Sequence, residues 1–398
     1  MSPSILDRSP DLQRLHEDCY ELRITTGGHL VIDHVPYVTP SRSIAFGSLV
    51  STLVMAGDHT ANPVDDHSLY FEGEIPCDRA GSPLTTMLIE TNQEQQLEAG
   101  LTVHHRFSCK PSQIDHYPDY HAKMTGYVAM LLTHARGVDP NVQATRAHPV
   151  VLPEDDPGSP FEYLDTASTR AEIVVISDKL RMHRVAIVGL GGTGAYILDL
   201  IAKTPIGEIH LFDGDDFLNH NAFRAPGAPD IEELNVQPTK VSYFARRYLK
   251  MKRRVIPHPY PVDERTVEEL RAMDFVFLAA EGGGAKRLVI EKLEEFGLPF
   301  IDVGLSVDQY RGSLGGMVCV TTSTPTQRDH LRSWVDLSDP DPDDIYDQNI
   351  QVAELNALNA AHAVIRWKKL CGFYRDLGHE HFSAYTLDRN QLDNAVQS

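Results

Sequence analysis

The sequence predicts an α/β protein in which a doubly wound, mostly parallel sheet is preceded by a smaller α+β domain. Three observations predict it. From residue 184 onward, short apolar runs alternate with helical patterns, the element order that parallel sheets require. A glycine-rich turn joins the first of those runs to the first helix. Before about residue 165, apolar and polar residues alternate between Gly, Pro and Asp turns, as antiparallel strands do. The segment 151–165, VLPEDDPGSPFEYLD, interrupts the hydrophobic pattern with prolines and acids. It divides the chain into an N-terminal domain, 1–165, and a C-terminal domain, 166–398.

In chain order, YELRIT (20–25), HLVIDHVPYV (29–38), SLYFEGEI (68–75), TTMLIE (85–90) and LTVHHRFS (101–108) read as strands. SLVSTLVMAG (48–57) and YHAKMTGYVAMLLTHARG (120–137) carry helical spacing. In the second domain RVAIVGL is a buried strand, GGTG a tight turn, AYILDLIAKT a helix and EIHLFDGD a second strand ending in acids. EELRAM and AKRLVIEKLEEFG are helices between the strands DFVFLAA, LPFIDVGLSV and GGMVCVTT.

The 398 residues are 42% hydrophobic and carry a formal net charge of −20. That is too apolar for a disordered chain. The acidity argues against nucleic acid and against an anionic membrane surface, both of which select clustered Lys and Arg. Asp7, Arg8 and Asp11 stand where a signal peptide needs an apolar stretch, so the expected location is cytoplasmic. The five cysteines form no CxxC pair, which points away from a disulfide framework and a four-thiolate zinc site. His67, His104, His105, His116 and His121, with Glu72, Glu74, Cys77 and Cys109, crowd the first domain without a ligand spacing.

Chemistry concentrates after residue 188. Gly189-Leu190-Gly191-Gly192-Thr193-Gly194 follows a strand and opens a helix, so backbone N–H groups and the helix dipole can cradle a phosphate. Asp213, at the end of the next strand, is placed to accept ribose hydroxyls. Those features say only that a nucleotide binds; the same glycines also serve close helix–strand packing. Asn221 and Arg224 lie three residues apart, and Lys240 follows in Gln237-Pro-Thr-Lys-Val. Two cations and an amide beside a nucleotide suit a triphosphate that loses pyrophosphate, whereas hydride transfer requires none of them.

RVAIVGLGGTG, LFDGDDFLNHNAFR, QPTK-V, DFVFLAAEGGGAKR, LPFIDVG and GGMVCVTTS, spanning about 166–370, together resemble the ThiF/MoeB-type adenylyltransferases of the ubiquitin-activating-enzyme superfamily. The resemblance implies a Rossmann-like adenylation domain that uses ATP and Mg²⁺. Gly189, Gly191, Gly192 and Gly194 would line the phosphates, Asp213 would hold the ribose, and Asp215 would be a second contact. Asn221 and Arg224 would contact the triphosphate and Lys240 the departing pyrophosphate. Glu281 stands where the family carries an aspartate that coordinates Mg²⁺. Arg170, on a helix that Thr166 or Ser168 would cap, would reach the ATP of a partner subunit and imply a homodimer.

The implied substrate is the C-terminal carboxylate of a ubiquitin-like or sulfur-carrier-like protein ending in a small residue, and a conjugating enzyme is an implied partner. The crossover loop, about 321–349, lacks the cysteine that many relatives use for a thioester. Three readings fit that absence: the reaction stops at the acyl-adenylate, an oxyester forms on the Thr321–Thr324 run with His330 as the only loop histidine, or a partner supplies the thiol. The alternatives for the function are a sulfur-carrier-protein adenylyltransferase and a non-catalytic nucleotide-binding scaffold. The acidic stretch Asp336 to Asp347 is a candidate reader of basic residues in the substrate tail. The N-terminal stretch resembles an uncharacterised domain fused to ThiF-type modules, for which partner docking is one expectation.

Overall fold

The computed structural model describes residues 5–62, 64, 66–91, 93–111, 116–146, 159–281, 283–335, 337 and 350–395. Most of the expected boundary 151–165, and the acidic stretch at 336 and 338–349, lie outside them. The chain forms two compact units, one of Met1–Ser159 with Tyr163–Ile176, the other of Pro160–Glu162 with Ser177–Ser398.

The first unit is built on six antiparallel strands: β1 (Glu21–Ile24), β2 (His29–Val38), β3 (Ile44–Thr52), β4 (Ser68–Glu72), β5 (Leu88–Glu90) and β6 (His105–Ser108), in the order β1-β2-β3-β4-β6-β5. One core joins helix α1 (Pro10–Glu17) and helix α2 (Tyr120–Arg136) to this sheet through Leu12, Leu15, Leu49, Phe71, Phe107, Met124 and Tyr127. The stretch 48–57 is not a helix. Residues 48–52 complete β3, paired with β2 and β4, and Met55–Ala56 is a further short strand. Leu49, Val50 and Ser51 are all buried, so both faces of this strand are covered and its apolar residues do not alternate. LTVHHRFS splits at His104 into Leu101–Val103, which pairs with Gln95–Glu98, and β6. Helix α3 (Thr166–Arg170) is capped by Asp165, whose carboxylate accepts the N–H groups of Ala167 and Ser168, not by Thr166 or Ser168. Thr169 is turned inward and donates its hydroxyl to the Gly27 carbonyl.

The second unit holds an eight-stranded sheet. Its strands are β7 (Arg184–Val188), β8 (Glu208–Phe212), β9 (Val255–His258), β10 (Phe275–Leu278), β11 (Phe300–Tyr310), β12 (Ser313–Ser323), β13 (Phe382–Thr386) and β14 (Gln391–Ala395). They run β9-β8-β7-β10-β11-β12-β13-β14. The first five are parallel and the last three add antiparallel pairs, giving the expected doubly wound, mostly parallel sheet. Its longer helices are α4 (Gly192–Ile201), α5 (Lys240–Tyr248), α6 (Gly284–Glu295) and α7 (Ala353–Leu370). β7, β10 and β11 are apolar on both faces because one core, with Ile187, Phe277, Leu198 and Trp367, covers one side and another, with Val188, Val276 and Val289, covers the other. β9 and the hairpin β13–β14 were not expected from periodicity, and EELRAM lies in a 3₁₀ turn, Val267–Ala272. The winding reverses between β7 and β10, so the crevice beyond their C-terminal ends is where such sheets bind ligands.

Candidate active site

The glycine turn sits at that reversal, and its four glycines answer to different demands. Gly189 has φ of 92°, and a Cβ there would meet the Ala279 carbonyl oxygen at 2.6 Å, in the chain leaving β10. A Cβ on Gly194 would lie 2.0 Å from the Gly189 carbonyl oxygen, and one on Gly192 2.1 Å from Nδ2 of Asn356. Those three are required by packing alone. Gly191 is not: a Cβ there meets nothing within 4 Å, and its φ of −69° is open to any residue. The space over Gly191, at the N-terminus of α4, is where an anion can approach the helix.

The turn is tied to the end of β8. The Gly189 N–H donates to the Phe212 carbonyl at 2.8 Å, and the Leu190 N–H donates to Asp213 Oδ2 at 2.6 Å. The other carboxylate oxygen of Asp213 accepts the Asp215 N–H at 2.9 Å. Lys240, 25 residues further on, comes to the same place because the Asp215 carbonyl accepts its N–H at 2.9 Å and Phe217 stacks on Tyr243 of α5 at 4.0 Å. Its Nζ lies 2.5 Å from Asp215 Oδ2 and 3.4 Å from Asp213 Oδ1. Asp213 and Lys240 are buried, whereas the Asp215 side chain is 75% exposed.

Asn221 is buried in the short helix Asn219–Ala222, and its Oδ1 accepts the Leu218 N–H at 2.8 Å. Its carbonyl accepts the Arg224 N–H at 3.2 Å, so Asn221 sets the turn that presents Arg224. Arg224 Nε is buried without a hydrogen-bond partner among the described residues. Glu281 is exposed just beyond β10, two residues after the carbonyl that Gly189 approaches. An exposed carboxylate there fits a Mg²⁺ ion, since nucleotide-bound Mg²⁺ needs only one or two protein carboxylates. Among the described residues no group of three or more His, Cys, Asp or Glu forms a metal site by itself, and this includes the histidines of the first unit.

The structure thus brings together Gly189, Gly191, Gly192, Gly194, Asp213, Asp215 and Lys240, with Asn221, Arg224 and Glu281 on segments that leave the same edge of the sheet. Arg170 is exposed at the end of α3 and belongs to the first unit. The Thr321–Thr324 run turns away. Register pairs Thr321 with Asp302, Thr322 with Ile301 and Ser323 with Phe300, which leads back toward the N-terminal ends of the parallel strands. Thr321, Thr322 and Ser323 are buried there, and His330 Nε2 donates to the Thr322 carbonyl at 2.7 Å. Cys319 faces Gly304 within β12, and burial pushes its thiol up; burial also pushes Cys371 up to about 11. A thiol needs the opposite shift to act as a nucleophile.

Two further features were not singled out in the sequence. Lys286 of α6 and Asp302 of β11 form a buried pair, Nζ to Oδ1 2.7 Å, beside the end of β10. Burial pushes the Asp302 carboxyl up to about 6 despite its lysine. Asn356 and Asn359 lie one turn apart on the face of α7 that meets the glycine turn and β11. Two asparagines at i and i+3 within an otherwise apolar helical stripe are the one pattern that marks them.

A model of the ThiF family matches residues 170–371, and one of a domain of unknown function (DUF6791) matches residues 10–166. No curated protein matches the chain. Among solved structures the chain is similar to PaaA, with 18% identity, 56% of this chain and 75% of that one covered, and a TM-score of 0.44. It is also similar to E. coli MccB with AMPCPP and MccA, at 17% identity, 58% and 71% coverage and a TM-score of 0.45. For the Microcin C7 biosynthetic enzyme MccB in complex with N-formylated MccA the identity is 19%, the coverage 57% and 68%, and the TM-score 0.45.

Proposed function

Since the chain belongs to the ThiF family and has that family's adenylyltransferase fold, we propose that it uses ATP to adenylate the C-terminal carboxylate of a ubiquitin-like protein, as the activating enzyme of a conjugation pathway. The observation that carries the reading is the buried Asp213–Lys240 pair at the end of β8, beside the open space over Gly191. A carboxylate for the ribose and a cation for the phosphates stand side by side next to one glycine turn. A hydride-transfer site has no use for the cation.

In this reading the substrate carboxylate oxygen attacks the α-phosphorus, and the bond from that phosphorus to the bridging oxygen breaks. The products are an acyl-adenylate and pyrophosphate. Lys240 and Arg224 stabilise the charge that gathers on the leaving group. Asp213 fixes the ribose, and the N-terminus of α4 faces the phosphates. Glu281 would hold Mg²⁺, which when bound would supply further neutralisation of the phosphate charge. No thioester is assigned, because neither Cys319 nor Cys371 has the environment of a nucleophile. The substrate tail ends in a small residue, and a sulfur-carrier protein fits the same carboxylate chemistry.

The test is pyrophosphate exchange into ATP, dependent on candidate β-grasp proteins with a C-terminal glycine. Exchange that no such protein stimulates, with tight ATP binding retained, favours the scaffold reading. NADH binding without ATP binding refutes adenylation. The protein acts as a homodimer in which Arg170 completes the partner's site, and Leu358, Ala361 and the exposed Ile365 leave an apolar stripe on α7 for such a contact. Mixing Arg170→Ala with Lys240→Ala subunits restores one composite site if this holds. No complementation removes the shared-site model.

A further inference from the structure

The glycine turn rests on a helix that enters the chain more than 150 residues later. Asn356 of α7 is 1% exposed, and its Oδ1 accepts the hydroxyl of Thr193, the second residue of α4, at 2.8 Å. Its amide lies against Gly192, where a Cβ would come within 2.1 Å of Nδ2 and 2.7 Å of Oδ1. That Nδ2 is buried and donates to nothing among the described residues. One turn on, Asn359 Nδ2 donates to the Gly304 carbonyl of β11 at 2.8 Å, so this face of α7 is fixed at both ends.

A buried amide donor left without an acceptor costs about 1–3 kcal/mol, and native proteins keep few of them. A leucine would fill the same volume without that cost. The unpartnered Nδ2 lies against the first turn of α4, the end of a helix that draws negative charge.

We propose that Asn356 is a positioning residue for the triphosphate. Through the Thr193 hydroxyl it holds the first turn of α4 in register. Through Nδ2 it presents an uncharged donor behind Gly192, which keeps the phosphate side of the turn electropositive. The inference rests on the ATP reading above and extends it to a residue that the glycine motif does not contain. It also accounts for Gly192, whose side-chain space Asn356 occupies.

The experiment is calorimetric titration of the full chain with ATP plus Mg²⁺ and, separately, with adenosine. Asn356→Asp keeps the size and the Thr193 acceptor but replaces the donor by an acceptor that carries or shares a negative charge. It is expected to weaken ATP about tenfold or more and to leave adenosine within about twofold. Asn356→Ala removes the donor without adding charge and is expected to weaken ATP about fivefold, again sparing adenosine. It also decides the matter if the aspartate variant does not fold. ATP and adenosine falling together in both variants, or an unchanged ratio between them, overturns the proposal and makes Asn356 a packing residue only. Wild-type protein that binds adenosine but gains nothing from the phosphates overturns the ATP reading itself.

Discussion

Replacing two glycines of the same turn by alanine separates packing from ligand binding. At Gly194 the new methyl stands 2.0 Å from the Gly189 carbonyl oxygen and 3.4 Å from Ala279 Cβ. The first neighbour is backbone, which cannot swing aside as a side-chain tip does. Overpacking of this kind costs roughly 1–3 kcal/mol. At about 2–4 °C per kcal/mol for a unit of this size, Gly194→Ala lowers the melting temperature by about 2–12 °C. At Gly191 nothing lies within 4 Å and φ is −69°, so alanine is accommodated. Its smaller unfolded-state entropy makes Gly191→Ala neutral or stabilising by up to ~1 kcal/mol. The same methyl then occupies the space assigned to phosphate. An overlap costing about 1.4 kcal/mol is a tenfold loss of affinity. Thermal melts with and without ATP measure both quantities: Gly191→Ala melts like wild type but loses the ATP-induced shift. A Gly191→Ala protein that keeps the full shift would refute the placement of the phosphates, and one that melts early would refute the reading of that space as empty.

Other variants probe the remaining features. Lys240→Ala removes the cation nearest Asp213 and is expected to cut modifier-dependent pyrophosphate exchange by about 10²–10³, with adenosine binding little changed; equal loss of both places Lys240 in the fold and not in the reaction. Lys286→Met strands the Asp302 carboxyl, which is 4% exposed, and is expected to destabilise the second unit by roughly 3–5 kcal/mol in denaturant unfolding. Adding Asp302→Asn should return most of that loss, and no recovery would mean that the pair is not what Lys286 supports. Lys252 is fully buried, donating to the carbonyls of Thr204 and Ile206, and burial pushes its ammonium down to about 7. The unfolded chain keeps that proton up to about 10.5, so between pH 7 and 10.5 the unfolded state binds more protons and folding strengthens as pH rises. The stability of wild type relative to Lys252→Met should therefore climb across that window, and a flat difference contradicts the buried charge.

The sequence made the second unit legible because its signals are local. Gly189 to Gly194 lies between a strand and a helix, and Asp213 ends the next strand; both follow from what neighbouring residues must do. The strand at 44–52 was not legible for the opposite reason. Residues 49–51 within it are buried on both faces, and coverage, not intrinsic preference, decides whether such a run is strand or helix. Lys240 was recognisable as a cation, but its pairing with Asp213 and Asp215 depends on how residues 215–217 lie against 238–240. Asn356 lay further out of reach, since its meaning is a contact with Gly192 made by tertiary packing. The oxyester candidates failed on register: the hydroxyl types were right, but β12 carries them toward the other end of the sheet.

The pairing of Lys240 with two carboxylates has a consequence for turnover. The Lys240 cation is already satisfied by Asp213 and Asp215, and the Asp215 side chain that holds it most closely is exposed to solvent. A polyphosphate entering this site does not find a bare positive charge; it has to exchange places with Asp215. Part of the attraction is spent in that exchange, so binding is weaker and less sensitive to ionic strength than the raw charges suggest. Under the proposed reaction the same carboxylate would be waiting when pyrophosphate departs, and by reclaiming the lysine it would speed release. On that reading the arrangement would trade affinity for reversibility, the property that an enzyme cycling through a charged leaving group needs more than a tight hold on it.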